Sequence, residues 1–389
     1  MRKWADIPLL PIILLLFVRL ISLMALPLEG LRGYGDFVHF YQMAGMGWPF
    51  FDYWVEFPPI FPLLSAVLFR LGGGQEHIYD YLLAFVLLFS DASALAVFTR
   101  LTLRLHGESE GTPRLWMYCA MLAGLAYSWW YFDSLAVLAL LLGLNWLLEG
   151  REGRAGLAWA LGTLTKFFPV LGLAAAWRFR SPRRAALLTL ITLSVTIAVW
   201  GGLILASPKM TLASLRSQAS KGSWETVWAL LDGNLHTGNF GPEIERYQAN
   251  SALLPRGNPP RLSPWLTLPA FAGIGGYFFW RAKLHTDAAV VAFLGLTWCL
   301  FLLWSPGYSP QWVLYLLPLI LLALPRRFAA LMAFTLILIN LLEWPLLLSR
   351  GLFWSLWVIV PLRTALIGLL ALAFAKAIPR QGSLLPNTR

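Results

Sequence analysis

Asp36, His39, Asp52 and Glu56 lie within residues 33–62 among eleven aromatic side chains, and long apolar runs flank the stretch on both sides. A lone carboxylate is costly in hydrocarbon, so these acids belong at a water interface or in a protein-lined cavity. Asp36 follows Tyr34 and Gly35, where the chain turns freely. A carboxylate fixed there can take a proton from an attacking hydroxyl; the other roles open to it are a helix cap or a partner for Arg19 or Arg32. Glu56 precedes Pro58 and Pro59, which fix the backbone beside it. It can bind a sugar hydroxyl, help Asp36 hold a divalent ion, or start the next helix.

Lys166 sits mid-way along an apolar segment, in Thr165-Lys166-Phe167-Phe168-Pro169. At that depth it needs a counter-charge, which a lipid-borne phosphate or an internal acid, Asp133 or Glu343, can supply. Arg216, Arg363 and Gln311 are candidates for the same task, Gln311 because a helix N-terminus there favours a phosphate oxygen. Asp133, and Asp91 within the second span, are either substrate groups or structural partners. His39, Tyr41 and His236 are candidate hydroxyl or sugar contacts, or ordinary interfacial packing. The spacing contains no dinucleotide fingerprint, no phosphate-binding P-loop and no zinc pattern.

The elements that must position these groups are membrane helices. The chain has 389 residues, 58% hydrophobic and only 13% charged, whereas a soluble domain carries about a quarter charged residues. Apolar runs at 7–28, 78–101, 115–131, 134–148, 155–177, 185–206, 264–280, 286–304, 312–324, 328–348 and 351–376 predict an all-α polytopic bundle. Residues 60–71 are about half as long as a span requires and predict an interfacial or partly inserted helix. The first run lacks a cleavage motif and is expected to be retained. Basic residues recur near 100–114, 151–154, 178–184, 281–285 and 326–327. The positive-inside rule puts those loops with the N-terminus in the cytoplasm, giving about twelve membrane segments. Segment 155–177 then enters and returns on one side, each half spanning about 15 Å; the other reading is a single kinked span with Lys166 packed inside.

On that topology the polar clusters share the extracytoplasmic face. They are a 29–77 loop with a juxtamembrane helix, Asp133, the Lys166 apex, a 207–263 loop and residues 305–311. The net charge of +11 is then loop asymmetry suited to anionic lipid rather than a nucleic-acid footprint. Cys119 and Cys299 lie in apolar runs and form no metal or disulfide pattern. Residues 1–389 read as one integral membrane domain, expected to be monomeric and to reside in a bacterial inner membrane with its site facing outward.

In order along the chain, Asp36, the Gly47-Trp48-Pro49-Phe50-Phe51-Asp52-Tyr53 run, Glu56-Phe57-Pro58-Pro59, Asp133-Ser134, Lys166-Phe167-Phe168-Pro169 and Ser309-Pro310-Gln311-Trp312 before Leu317-Pro318 resemble the GT-C superfamily of membrane glycosyltransferases. They are most similar to bacterial polyprenol-phosphate-mannose-dependent mannosyltransferases and to the GPI mannosyltransferases. The resemblance implies a GT-C bundle and an inverting transfer of a sugar, mannose by family weight, from a polyprenyl-phosphate donor to a glycolipid or glycan hydroxyl outside the membrane. It makes Asp36 the general base, Lys166 a donor-phosphate contact with Gln311 in the same cavity, and Glu56 an acceptor or sugar contact. Several relatives carry Asp-X-Asp in the first loop where this chain has Asp36-Phe37-Val38. The missing carboxylate argues against a required Mg2+ or Mn2+, although a divalent cation could still bind. The rival reading is a transporter or flippase of a lipid-linked sugar, which should show two halves with matching helix breaks; a cell-envelope ligase or polymerase would use a different external loop.

Overall fold

The computed structural model describes residues 8–27, 30, 32, 34–236 and 240–379. Residues 7 and 28 of the first predicted span and parts of the 29–77 and 207–263 loops lie outside them. The chain is all-α. Its helices are α1 (Leu10–Ala25), α2 (Phe37–Gly45), α3 (Ile60–Leu71), α4 (Glu76–Gly124), α5 (Asp133–Leu148), α6 (Glu152–Thr165), α7 (Gly172–Phe179) and α8 (Pro182–Ala206). They continue as α9 (Pro208–Ser220), α10 (Val227–Asp232), α11 (Pro264–Arg281), α12 (Asp287–Trp304), α13 (Val313–Ala323), α14 (Arg326–Leu341) and α15 (Leu356–Ala377).

Every predicted apolar run falls on a helix; against the expected twelve membrane segments, five helices among the described residues are long and apolar enough to cross. These are Glu76–Gly124, Pro182–Ala206, Asp287–Trp304, Arg326–Arg350 and Phe353–Ala377. The range called α4 is two helices that fold back on each other at Gly107, φ 68°, a conformation that glycine adopts readily; Phe98 packs on Tyr118 at 4.3 Å and Arg19 reaches both Asp91 and the Leu122 carbonyl, so the predicted spans 78–101 and 115–131 are its two arms. Other segments are shorter than the hydrocarbon core is thick: α5 has 16 residues, about 24 Å of helix. The protein is an integral membrane protein with multiple transmembrane helices.

Segment 155–177 is two antiparallel arms. α6 ends at Lys166, Phe168–Leu171 forms a turn of 3-10 helix, and α7 runs back. Glu152 at the start of the first arm pairs with Arg180 just past the second, at 3.4 Å, so the segment enters and leaves at the same end of the molecule. Missing side chains let the arms close: a β-carbon on Gly172 would overlap the Trp159 ring, and one on Gly162 would meet Pro169.

The same end gathers the basic loops. Arg100 pairs with Glu149 at 2.6 Å and Arg104 with Asp287 at 2.7 Å. Arg326 meets Glu110 at 3.2 Å, and Arg114 donates to the Leu324 carbonyl at 2.8 Å. From there α5 and α13 reach back toward the opposite end, joining α1, α4, α12, α14 and α15 around one large apolar core. A second core joins the first loop to α3, the start of α4, Phe132 and Trp200. The two long loops form one layer over it: the Trp54 amide donates to the Arg246 carbonyl at 3.1 Å, and the Val55 amide to Ser214 Oγ at 3.0 Å. Helix α11 has no buried residue and exposes Trp265, Leu266, Tyr277 and Trp280, an apolar outer surface suited to lipid.

Candidate active site

A cavity of about 1170 Å³ opens at the end opposite the basic loops. Asp36, Glu56, Asp133, Lys166 and Gln311, drawn from five separate stretches of sequence, line it together. Phe167, Leu171, Leu215, Trp265, Phe301 and Trp304 give its wall a large apolar share.

Asp36 stands at the N-cap of α2 and makes no side-chain cap bond. The partners open to it in the sequence are engaged elsewhere. Arg19 binds Ser128, the Leu122 and Leu125 carbonyls and, at 3.7 Å, Asp91; Arg32 pairs with Asp80 and with Glu76 at 3.1 Å. Among the described residues no group hydrogen-bonds or pairs with the Asp36 carboxylate. Burial pushes that carboxyl above its ordinary range; the charges of His39 and Lys166 oppose the shift, and Asp133 and Glu56 add to it. An unpartnered carboxylate with raised proton affinity is what a general base requires.

Lys166 finds its internal partner. Its Nζ lies 3.0 Å from Asp133 Oδ2 and 4.6 Å from the centre of the Phe132 ring. Tyr315 donates to Asp133 Oδ1 at 3.1 Å. Asp133 is 1% exposed and therefore works as the anchor that aims Lys166 into the cavity. Glu343, the alternative partner, is taken by Arg363. Gln311 lies in the 3-10 turn Pro310–Trp312 that leads into α13.

Glu56 is held by both Arg246 nitrogens, Nη2 to Oε1 at 2.9 Å. Burial alone would raise its pKa, but the Arg246 charge and hydrogen bond outweigh it and bring the carboxyl down to about 2. That leaves Glu56 a structural anion between the two long loops, with little capacity to take a proton.

The structure does not bring the remaining candidates to the cavity lining. Arg216 is exposed on α9, and His236 is exposed and packs on Phe353 at a tilt of 53°, ring centroids 4.2 Å apart. His39 pairs with Glu243 at 2.8 Å and Tyr41 donates to the Gly74 carbonyl at 2.7 Å. Arg363 is buried beneath the site, paired with Glu343 and packed over Tyr308 at 3.9 Å. In each case a protein partner or an outward helix face claims the side chain.

Lys221, which the sequence does not single out, also faces the cavity. Its ammonium lies 5.4 Å over Trp224 and 5.9 Å over Phe57, with no hydrogen-bond partner among the described residues. Burial lowers it to about 8, against the pull of Glu56. Two ammonium groups therefore flank one apolar-walled space. No group of three His, Cys, Asp or Glu side chains that could hold a metal ion occurs among the described residues.

Fold and site together define an all-α polytopic membrane protein with a polar, partly apolar-walled cavity at one end. No protein-family model matches the sequence, and no curated protein matches it. Among solved structures the chain is similar to the Archaeoglobus fulgidus oligosaccharyltransferase complexed with zinc and sulfate, at 13% identity and a TM-score of 0.38, covering 96% of this chain and 54% of that one. The same protein tethered to an acceptor peptide gives 14% identity and a TM-score of 0.34, covering 97% and 56%. This chain thus spans about half the length of the structures it matches, and likeness at this level assigns neither family nor activity.

Proposed function

We propose that this protein is a membrane glycosyltransferase that moves a sugar from a polyprenyl-phosphate donor to a hydroxyl of a glycolipid or glycan acceptor. The observation that carries the proposal is the Asp36 carboxylate, unpartnered among the described residues and set in the same cavity as Lys166 and Lys221. The motif resemblance to GT-C mannosyltransferases points the same way and favours mannose, an inverting outcome and an extracytoplasmic site.

In this reaction Asp36 takes the proton of the acceptor hydroxyl as its oxygen forms a bond to the anomeric carbon. The bond from that carbon to the phosphate oxygen breaks, and the electron pair leaves with polyprenyl phosphate. Lys166, aimed by Asp133, and Lys221 stabilise the charge gathering on the departing phosphate, with Gln311 as a further donor. Phosphate leaves readily, so no general acid is required. The apolar wall beside α11 and the Phe168–Leu171 turn accommodates the first prenyl units. Direct displacement by one base inverts the anomeric centre.

Purified protein in nanodiscs, given radiolabelled polyprenyl-phosphate-mannose and a lipid extract of the native membrane, should transfer label to an extractable acceptor. Binding of labelled donor without transfer keeps the donor class and points to a missing acceptor. A chain that binds neither this donor nor other polyprenyl-phosphate sugars contradicts the proposal.

A further inference from the structure

Glu225 is only 5% exposed and lines the cavity, yet no described residue hydrogen-bonds its carboxyl group, and Oε2 is fully enclosed. Apart from Asp36, the other acids that line this cavity are held. Glu56 has Arg246 and Asp133 has Lys166 and Tyr315, while Asp232 accepts from Ser223 Oγ at 2.6 Å and from the Arg261 amide at 2.8 Å. The nearby Arg363 pairs with Glu343 and donates to the carbonyl of Glu225, not to its carboxylate.

The backbone gives a second, independent sign. Glu225 sits at φ 50°, a conformation that strains any residue with a β-carbon and ordinarily goes to glycine or asparagine. Its neighbours hold it there. The Trp224 amide donates to the Pro306 carbonyl at 3.2 Å, and its carbonyl accepts from the Tyr308 amide at 3.1 Å. Thr226 Oγ1 donates to the same Pro306 carbonyl at 2.8 Å while capping α10. A strained backbone that holds an unsatisfied buried carboxyl beside a cavity is characteristic of functional sites.

A ligand that partners this carboxylate must donate a hydrogen bond. An anion is repelled, and an apolar group leaves the carboxylate unpaired in a dry site. The same cavity is lined by Trp224, Trp228, Trp304 and Trp312, whose flat apolar faces suit the C–H face of a sugar ring. We propose that Glu225 is the sugar-reading residue of this cavity, its carboxylate accepting through Oε1 a hydrogen bond from a hydroxyl of a pyranose ring packed against the tryptophans. This rests on the glycosyltransferase reading and extends it to the group that selects the sugar; the ring can belong to the donor or to the acceptor.

The test compares wild type, Glu225→Gln and Glu225→Gly in nanodiscs, glycine removing the carboxyl while relieving the backbone. Tryptophan fluorescence is titrated with methyl mannoside, methyl glucoside and methyl galactoside, and separately with sugar-free polyprenyl phosphate. The expected result is a saturable glycoside response in wild type that both variants weaken by about tenfold or more. Polyprenyl phosphate should bind all three alike, and the glycine variant should melt no lower than wild type. The proposal is overturned by equal glycoside binding in all three chains, by no glycoside response in wild type, or by polyprenyl phosphate weakening in step with the glycosides. Glycoside binding that depends on Glu225, with no polyprenyl-phosphate binding to any chain, supports Glu225 and overturns the lipid-phosphate reading. In the transfer assay the variants should raise the KM of whichever substrate carries the ring.

Discussion

Asp36 and Lys221 are both held against their solvation preference, and each leaves a signature in pH. The Asp36 carboxyl is raised above its ordinary 3.8 by burial, so the folded chain binds that proton more tightly than the unfolded one. Stability is therefore lost as pH rises from the ordinary carboxylate range through the raised value. Transfer needs the ionised base, so turnover should climb through the same window, with its acid limb above that of a free aspartate. Asp36→Asn should lose about 10²–10⁴-fold in turnover and melt higher than wild type on the alkaline side of the window, as thermal unfolding across pH would read out. Lys221 is lowered to about 8, so its charge disappears as pH rises through that value. Donor affinity should fall there, and Lys221→Gln should bind donor about tenfold more weakly with that alkaline limb flattened, measurable by titrating labelled donor from pH 6 to pH 10. The carboxylate was legible in the sequence because Asp36 follows a span and stands beside Gly35. Lys221 was not, because its position depends on Trp224 pairing with Gly307, a contact between segments about eighty residues apart.

At the scale of elements, the site is made by segments that stop short or turn back. α6 and α7 form a hairpin that delivers Lys166 to the interior, and the break was readable from Thr165-Lys166-Phe167-Phe168-Pro169, where proline forbids a continuous helix. Its antiparallel course was readable only through charge, since Glu152 and Arg180 lie at opposite ends of the segment and meet in space. The Glu56–Arg246 pair, by contrast, fastens the first loop to residues 243–247 and has no local signature in either stretch. With Glu56 lowered to about 2 from an ordinary 4.5, the pair contributes stability that is fully present above pH 4.5 and lost as pH falls through about 2. Breaking a buried pair strands the other charge, so Glu56→Gln or Arg246→Met alone should cost about 3–5 kcal/mol, and the double variant should recover much of that loss. Chemical denaturation of the four chains in one double-mutant cycle checks it; equal losses that simply add would show that the two side chains are not coupled.

The whole molecule separates a basic end from a cavity end. The arginine loops around Glu149, Glu152 and Asp287 interlock at one end, and Asp36, Lys166, Lys221 and Gln311 gather at the other. The sequence made this separation legible through its charge bias. Apolar length alone does not say which segments cross, because several of them, such as the 16-residue α5, are shorter than a full span. Sidedness is checked by cysteine labelling: a membrane-impermeant thiol reagent should modify Arg256→Cys, 62% exposed on its side chain at the cavity mouth, in intact cells. Arg184→Cys, 61% exposed at the basic end, should react only after permeabilisation; the reverse pattern would invert the assigned orientation. The central claim is that Asp36 is the base of a lipid-phosphate sugar transfer, and it is tested most directly by measuring donor binding and transfer side by side in wild type and Asp36→Asn. The variant should bind polyprenyl-phosphate sugar as wild type does while transfer collapses. Retained transfer in a folded Asp36→Asn chain would contradict it.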